Sequence, residues 1–135
     1  MNETNTPPIH LHIQGHPAPQ GSKRHIGNGR MIEQSKKLPT WRNTLILHMR
    51  NQYKGPPLNQ PLHITATFYM PKPQKPKFPH PAVTPDLDKL ARALGDALTQ
   101  ARIIKDDARI TDWTISKRYH PTGWTGVKCT ITPTT

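Results

Sequence analysis

Apolar and polar residues alternate along two stretches of the chain. Ile9, Leu11 and Ile13 are separated by His10 and His12, and Leu62, Ile64, Ala66 and Phe68 are separated by His63, Thr65 and Thr67. A period of two predicts half-buried strands. His10 and His12 share a face, but with no third ligand nearby the reading is a solvated strand face rather than a metal pair. From Ser35 to Tyr53 the spacing changes to three and four. Leu38, Trp41, Leu45 and Met49 make one stripe, while Lys36, Lys37, Arg42 and Arg50 fall mostly elsewhere. This predicts a helix whose first turn lies near Pro39. Leu87, Leu90, Ala91, Leu94, Ala97, Leu98 and Ala101 predict a second helix, running from Lys89 to an end near Gln100 to Arg102.

Between these elements the turn chemistry is explicit. Asn28-Gly29 predicts a short hairpin with arms near His25–Gly27 and Arg30–Glu33. Residues 71–85 hold six prolines among Lys72, Lys75, Lys77, Phe78 and His80, which excludes a helix or central strand and predicts a basic, semi-extended loop. Arg109 to Arg118, with Ile110, Trp113 and Ile115, reads as a strand. Thr114 to Thr135 reads as a hairpin that turns at Pro121–Gly123 and closes on Val127, Cys129 and Ile131. The expected architecture is α+β: a loose tail over 1–7, then a single small domain over 8–135. Its mixed sheet would have about four to six strands, with two main helices.

Composition narrows the class. The chain has 135 residues, 33% hydrophobic, with 16 prolines, so a modest core with long loops is expected. A core that small favours a dimer. Cys129 is the only cysteine, which excludes a disulfide framework and a cysteine-rich zinc site. No apolar run reaches membrane-spanning length and the first residues lack a signal-peptide core, so a cytoplasmic protein is expected, nucleoid-associated or encoded by a virus or prophage. The net charge of +11 points to nucleic acid.

That charge is unevenly spread. Residues 1–85 carry 11 Lys/Arg and 2 acids, residues 86–112 carry 5 and 6, and residues 113–135 carry 3 and none. All six aspartates lie between Asp86 and Asp112. Asp86 and Asp88 converge on one face if the backbone there is extended, but in a helix they stand about 200° apart. Asp86 is therefore expected at the end of an extended approach, with Asp88 at or near the N-cap. The competing arrangement has Thr84 as N-cap and Pro85 in the first turn, with both aspartates merely complementing the helix dipole. A strand returning beside the helix would bring Asp106 or Asp107 to the same end. Three carboxylates from two segments make an oxygen-rich site suited to Mg2+ or Mn2+. Aspartates in caps and turns are the bland alternative.

The segment Asp86-Leu87-Asp88-Lys89-Leu90-Ala91-Arg92, then Asp96-Ala97-Leu98, then Asp106-Asp107-Ala108-Arg109-Ile110 and Lys117 resembles the RusA family of crossover-junction endodeoxyribonucleases. The spacing fits without a gap across some thirty residues. The resemblance implies that Asp86, Asp88 and Asp107 are the metal-binding catalytic carboxylates, with Asp106 accessory. It also implies a homodimer acting on four-way DNA junctions in recombination and repair. Two positions depart from the family pattern: Arg92 stands where the family has lysine, and Lys89 where it has asparagine. Arg92 keeps a fixed charge able to stabilise the transition state, and Lys89 is the second candidate for that role. Lys23, Arg24, Arg30, Lys72, Lys75, Lys77, Lys117 and Arg118 are the candidate DNA contacts, and Phe78 a weaker candidate for a wedge at unstacked bases. Two other readings share the charge: a non-catalytic nucleic-acid-binding accessory protein, and a nuclease for flaps or linear DNA.

Overall fold

The computed structural model describes residues 6–20 and 29–134, for 29–36 the backbone only. Strand β1 is Ile9–Gln14, helix α1 Gly29–Gln52, strand β2 Leu62–Tyr69 and helix α2 Leu87–Gln100. A single 3-10 turn at Asp107–Arg109 leads into β3, Ile110–Arg118, and β4 is Gly126–Pro133. The fold is α+β, with one mixed sheet of four strands and two helices. No helix among the described residues is long and apolar enough to cross a membrane.

The sheet order is β1-β4-β2-β3. β4 lies between β1 and β2 and pairs antiparallel with both. β3 runs parallel to β2 at the sheet edge. A parallel pair needs a crossover. Here the crossover is the long proline-rich segment, which carries no helix or strand, followed by α2.

Both helices lie on one face of the sheet. Trp41, Leu45 and Met49 from α1 and Leu90, Leu94 and Leu98 from α2 are buried against Leu11, Ile13, Leu62, Ile64, Phe68, Val127 and Ile131. The opposite face carries His10, His12, Thr65, Thr67, Tyr69, Lys128 and Thr130, as period-two alternation requires. No Asp, Glu, Lys or Arg is fully buried among the described residues.

Three expectations are corrected. Arg30–Glu33 is not a hairpin arm but the first turns of α1. Met, Glu and Gln are better helix than strand formers, so the run after Asn28-Gly29 joins the helical stripe. The other proposed arm, His25–Gly27, lies outside the described residues. The helix consequently begins ten residues before Pro39, which sits in its interior. Finally, β3 and β4 do not form a hairpin. β2 is inserted between them because its apolar face, buried at every second residue, needs a ladder on both edges.

The β2–β3 ladder contains one irregularity. Leu62 is opposite Ile110 but His63 is opposite Asp112, leaving Thr111 as an extra residue on β3. The bulge resets the alternation, so that Ile110, Trp113, Ile115 and Lys117 all lie on the helix side.

Candidate active site

Helix α2 begins where the proline-rich segment ends. Asp86 is its N-cap, with extended backbone (φ −69°, ψ 141°) and a carbonyl that accepts from the Lys89 and Leu90 amides at 3.2 Å each. Its carboxylate makes no capping bond and stands 3.9 Å from Lys89 Nζ. Asp88 is inside the first turn rather than at the N-cap, where its charge complements the helix dipole. Thr84 is not the cap either. The Asp86 carboxylate lies near Lys89, whereas Asp88 lines the groove described next.

Asp88 faces an open groove of about 340 Å3 between α2 and the edge strand. Ala91, Arg92 and Gly95 of α2 line it on one side, and Asp107, Ile110, Trp113 and Ile115 on the other. The groove is open because the β3 row is only partly covered: Ile110 and Ile115 are half-buried and Trp113 is exposed, whereas the neighbouring β2 row is fully buried. Gly95 has no side chain to fill the gap, and a methyl built there would sit 3.6 Å from Trp113 Cζ2. Arg92 is exposed and makes no ion pair among the described residues.

Asp106 caps the 3-10 turn by accepting from the Ala108 amide at 3.3 Å. That bond, followed by a hydrogen bond with Asp107, holds its carboxyl below the usual carboxylate range. Asp107 is pushed above that range, first by the same bond to Asp106, then by partial burial and by the charges of Asp106 and Asp96. The two acids thus compete for one proton, and the crowded negative charge faces the groove.

Lys117 plays a part that sequence reasoning missed. Its Nζ donates to the carbonyls of Val83 at 2.7 Å and Pro85 at 2.8 Å, which fastens the proline-rich segment to β3 just before Asp86. Burial lowers its pKa, partly offset by the Asp86 charge. Arg42 of α1, which the sequence places off the apolar stripe, reaches Asp96 at 3.6 Å, Gln100 at 3.2 Å and the Gln20 side chain. Neither role has a local signature. Trp113 and the bulge beneath it did have one: Ile110 and Trp113 are three apart in a strand whose period is two.

The remaining candidates are dispersed. Lys72, Lys75, Lys77 and Arg118 are exposed, the lysines along the proline-rich segment and Arg118 at the end of β3. Lys23 and Arg24 lie outside the described residues, as does the side chain of Arg30. Asp88, Asp107 and Arg92 are brought together, and Asp106 stands against Asp107. Asp86 is not among the residues lining the groove, being turned toward Lys89 and Lys117. Among the described residues no group of three acids, histidines or cysteines stands close enough to hold an ion.

The donors on offer are crowded carboxylate oxygens, and that is the chemistry a hard divalent cation fits. No relative was found among curated proteins. A family model described as Endodeoxyribonuclease RusA matches residues 14–132. With both helices, strands β2 and β3, nearly all of β4 and the carboxylate groove inside that match, the chain belongs to the RusA endodeoxyribonuclease family.

Proposed function

We propose that this endonuclease resolves four-way DNA junctions by paired cleavage in recombination and repair. A divalent cation, Mg2+ or Mn2+, would be held by Asp86, Asp88 and Asp107 with Asp106 as accessory donor. The observation that carries the reading is the groove lined by Asp88 and Asp107 on its two sides beside Arg92. Bound there, the cation supplies charge neutralisation at the phosphodiester and a nucleophilic water.

The chain's own groups do the rest. The crowding of Asp106 and Asp107, by hydrogen bond and then by mutual repulsion, raises the Asp107 carboxyl above the usual carboxylate range and would be relieved by a bound cation. Arg92 offers a fixed positive charge to a non-bridging phosphate oxygen, and Lys89 steadies the Asp86 carboxylate. Lys117 orients the Pro85 carbonyl, and through it the backbone that presents Asp86. Lys72, Lys75 and Lys77 hold flanking phosphates, which is the salt-dependent part of binding. Symmetric cuts across a junction call for two copies related by a two-fold axis.

The test is cleavage of a synthetic four-way junction beside linear duplex and flap, with and without Mg2+. Paired nicks on the junction alone are expected. Asp88→Asn should lower the rate by at least about a hundredfold while junction binding persists. Undiminished cleavage by Asp88→Asn would remove the groove from the mechanism. Cutting of every substrate would remove junction selectivity.

A further inference from the structure

The open face of the sheet carries a second cluster, and none of its members lines the carboxylate groove. Ladder register arranges the face in rows. Gln14, Gly126, Tyr69 and Arg118 form one row, and His12, Lys128, Thr67 and Ser116 the next. At this end of the sheet four rings stand in mutual contact. Centroids of His12 and Trp124 are 4.7 Å apart, Tyr69 and His120 5.0 Å, Tyr69 and Trp124 5.8 Å, and His120 and Trp124 6.0 Å. The Lys128 ammonium lies 5.7 Å from the centroids of both Tyr69 and Trp124. Lys72 lies 5.9 Å from Tyr119 at the adjoining edge.

This chemistry selects its ligand. The face is built of Thr, His, Gln and Lys between the rings, so it does not resemble half of an apolar protein interface. Its cations, Lys128 and Arg118, share the ring-bearing end. The acid on this face, Asp112, is opposite His63 at the other end. A ligand must therefore bring negative charge together with flat π-systems. Duplex DNA offers the charge but keeps its base faces stacked inside, whereas an unpaired strand offers both. We propose that His12, Tyr69, His120 and Trp124, grouped around Lys128, bind single-stranded DNA by stacking on its bases while Lys128 and Arg118 hold the phosphates. Tyr69 ends β2, where the chain enters the segment that leads to Asp86. The surface is thus at the same end of the sheet as the start of α2, on the opposite face.

The test uses the full chain with EDTA present, so that it is independent of cleavage. Binding of a short fluorescent oligo(dT) is followed by anisotropy at low salt, with folding checked by circular dichroism melting. Trp124→Ala is expected to weaken binding about 5- to 100-fold, as loss of base stacking does. Trp124→Phe, which keeps a ring, should stay within about threefold of the wild type. If Trp124→Ala does not fold, the double variant His12→Ala with Lys128→Ala takes its place, because both positions are exposed. Unchanged oligo(dT) affinity in a folded variant overturns the proposal. So does sedimentation in which the variant alters only the association of copies, which would make this face a contact between subunits.

Discussion

Strands β2 and β3 lie side by side in one ladder and point their apolar residues to the same face, yet the two rows end differently. Leu62, Ile64, Ala66 and Phe68 on β2 are at most 1% exposed. Opposite them Ile110, Ile115 and Lys117 are half-buried, and Trp113 is 37% exposed. The helices close over the first row and stop short of the second. A carboxylate above β2 would be stripped of water at large cost, while one above β3 keeps access to solvent and cations. The acids stand where coverage ends. The carboxylate groove is thus a consequence of incomplete packing at a sheet edge.

The sharpest way to break this comparison is to truncate ladder partners. Ile64→Ala should cost about 2–5 kcal/mol in urea unfolding. Trp113→Ala, opposite it, removes more atoms but should cost only about 1–2 kcal/mol. Equal losses would mean that the β3 row is core. Next comes the fastening of the proline-rich segment. Lys117→Met should lose about 1–2 kcal/mol and make residues 71–86 more sensitive to protease, because two charge-assisted bonds disappear. A smaller effect of opposite sign is expected for Gly95→Ala. The new methyl would make ordinary contact with Trp113, so helix propensity should raise stability by about 0.5–1 kcal/mol. Cleavage should fall, since the methyl narrows the groove.

The smallest effect concerns charge. The folded-state pKa of Asp107 lies above its ordinary value, so the native protein binds more protons than the unfolded chain between those two values. The resulting penalty is present at neutral pH and is relieved as pH falls through the raised pKa. Asp107→Asn removes the penalty. Without metal, the variant should melt slightly higher than wild type at pH 7, the gain being modest because the groove is open to water. Added Mg2+ should then raise the wild-type melting temperature more than that of the variant.

Much of this was legible in the chain. Both helical stripes and the alternation of β1 and β2 are periodic over enough residues to be read directly. The carboxylates stood out because a basic chain confines all its aspartates to one segment. What could not be read was pairing. Pro121–Gly123 look like a hairpin turn, and only the need to satisfy both edges of β2 shows that the connection must pass across that strand's end. At the site, Asp88, Arg92 and Asp107 were named from spacing, but the turn of Asp86 toward Lys89 depends on the backbone changing from extended to helical between Asp86 and Leu87. The bonds of Lys117 and Arg42 join segments 22 or more positions apart, a distance at which local pattern carries nothing.

Thr111 acts as a spare count in the chain. Removing it would let Asp112 follow Ile110 in a regular ladder, so every later residue of β3 would keep its side of the sheet and Lys117 would still reach Val83 and Pro85. One residue added anywhere between Asp112 and Lys117 would do the reverse and carry Lys117 to the far side. The strand therefore tolerates a change of length before Asp112 and none after it. Since bulges add twist and re-aim what precedes them, the tolerated change would act on the segment that carries Asp106 and Asp107. The phase of the sheet beneath those acids would stay fixed.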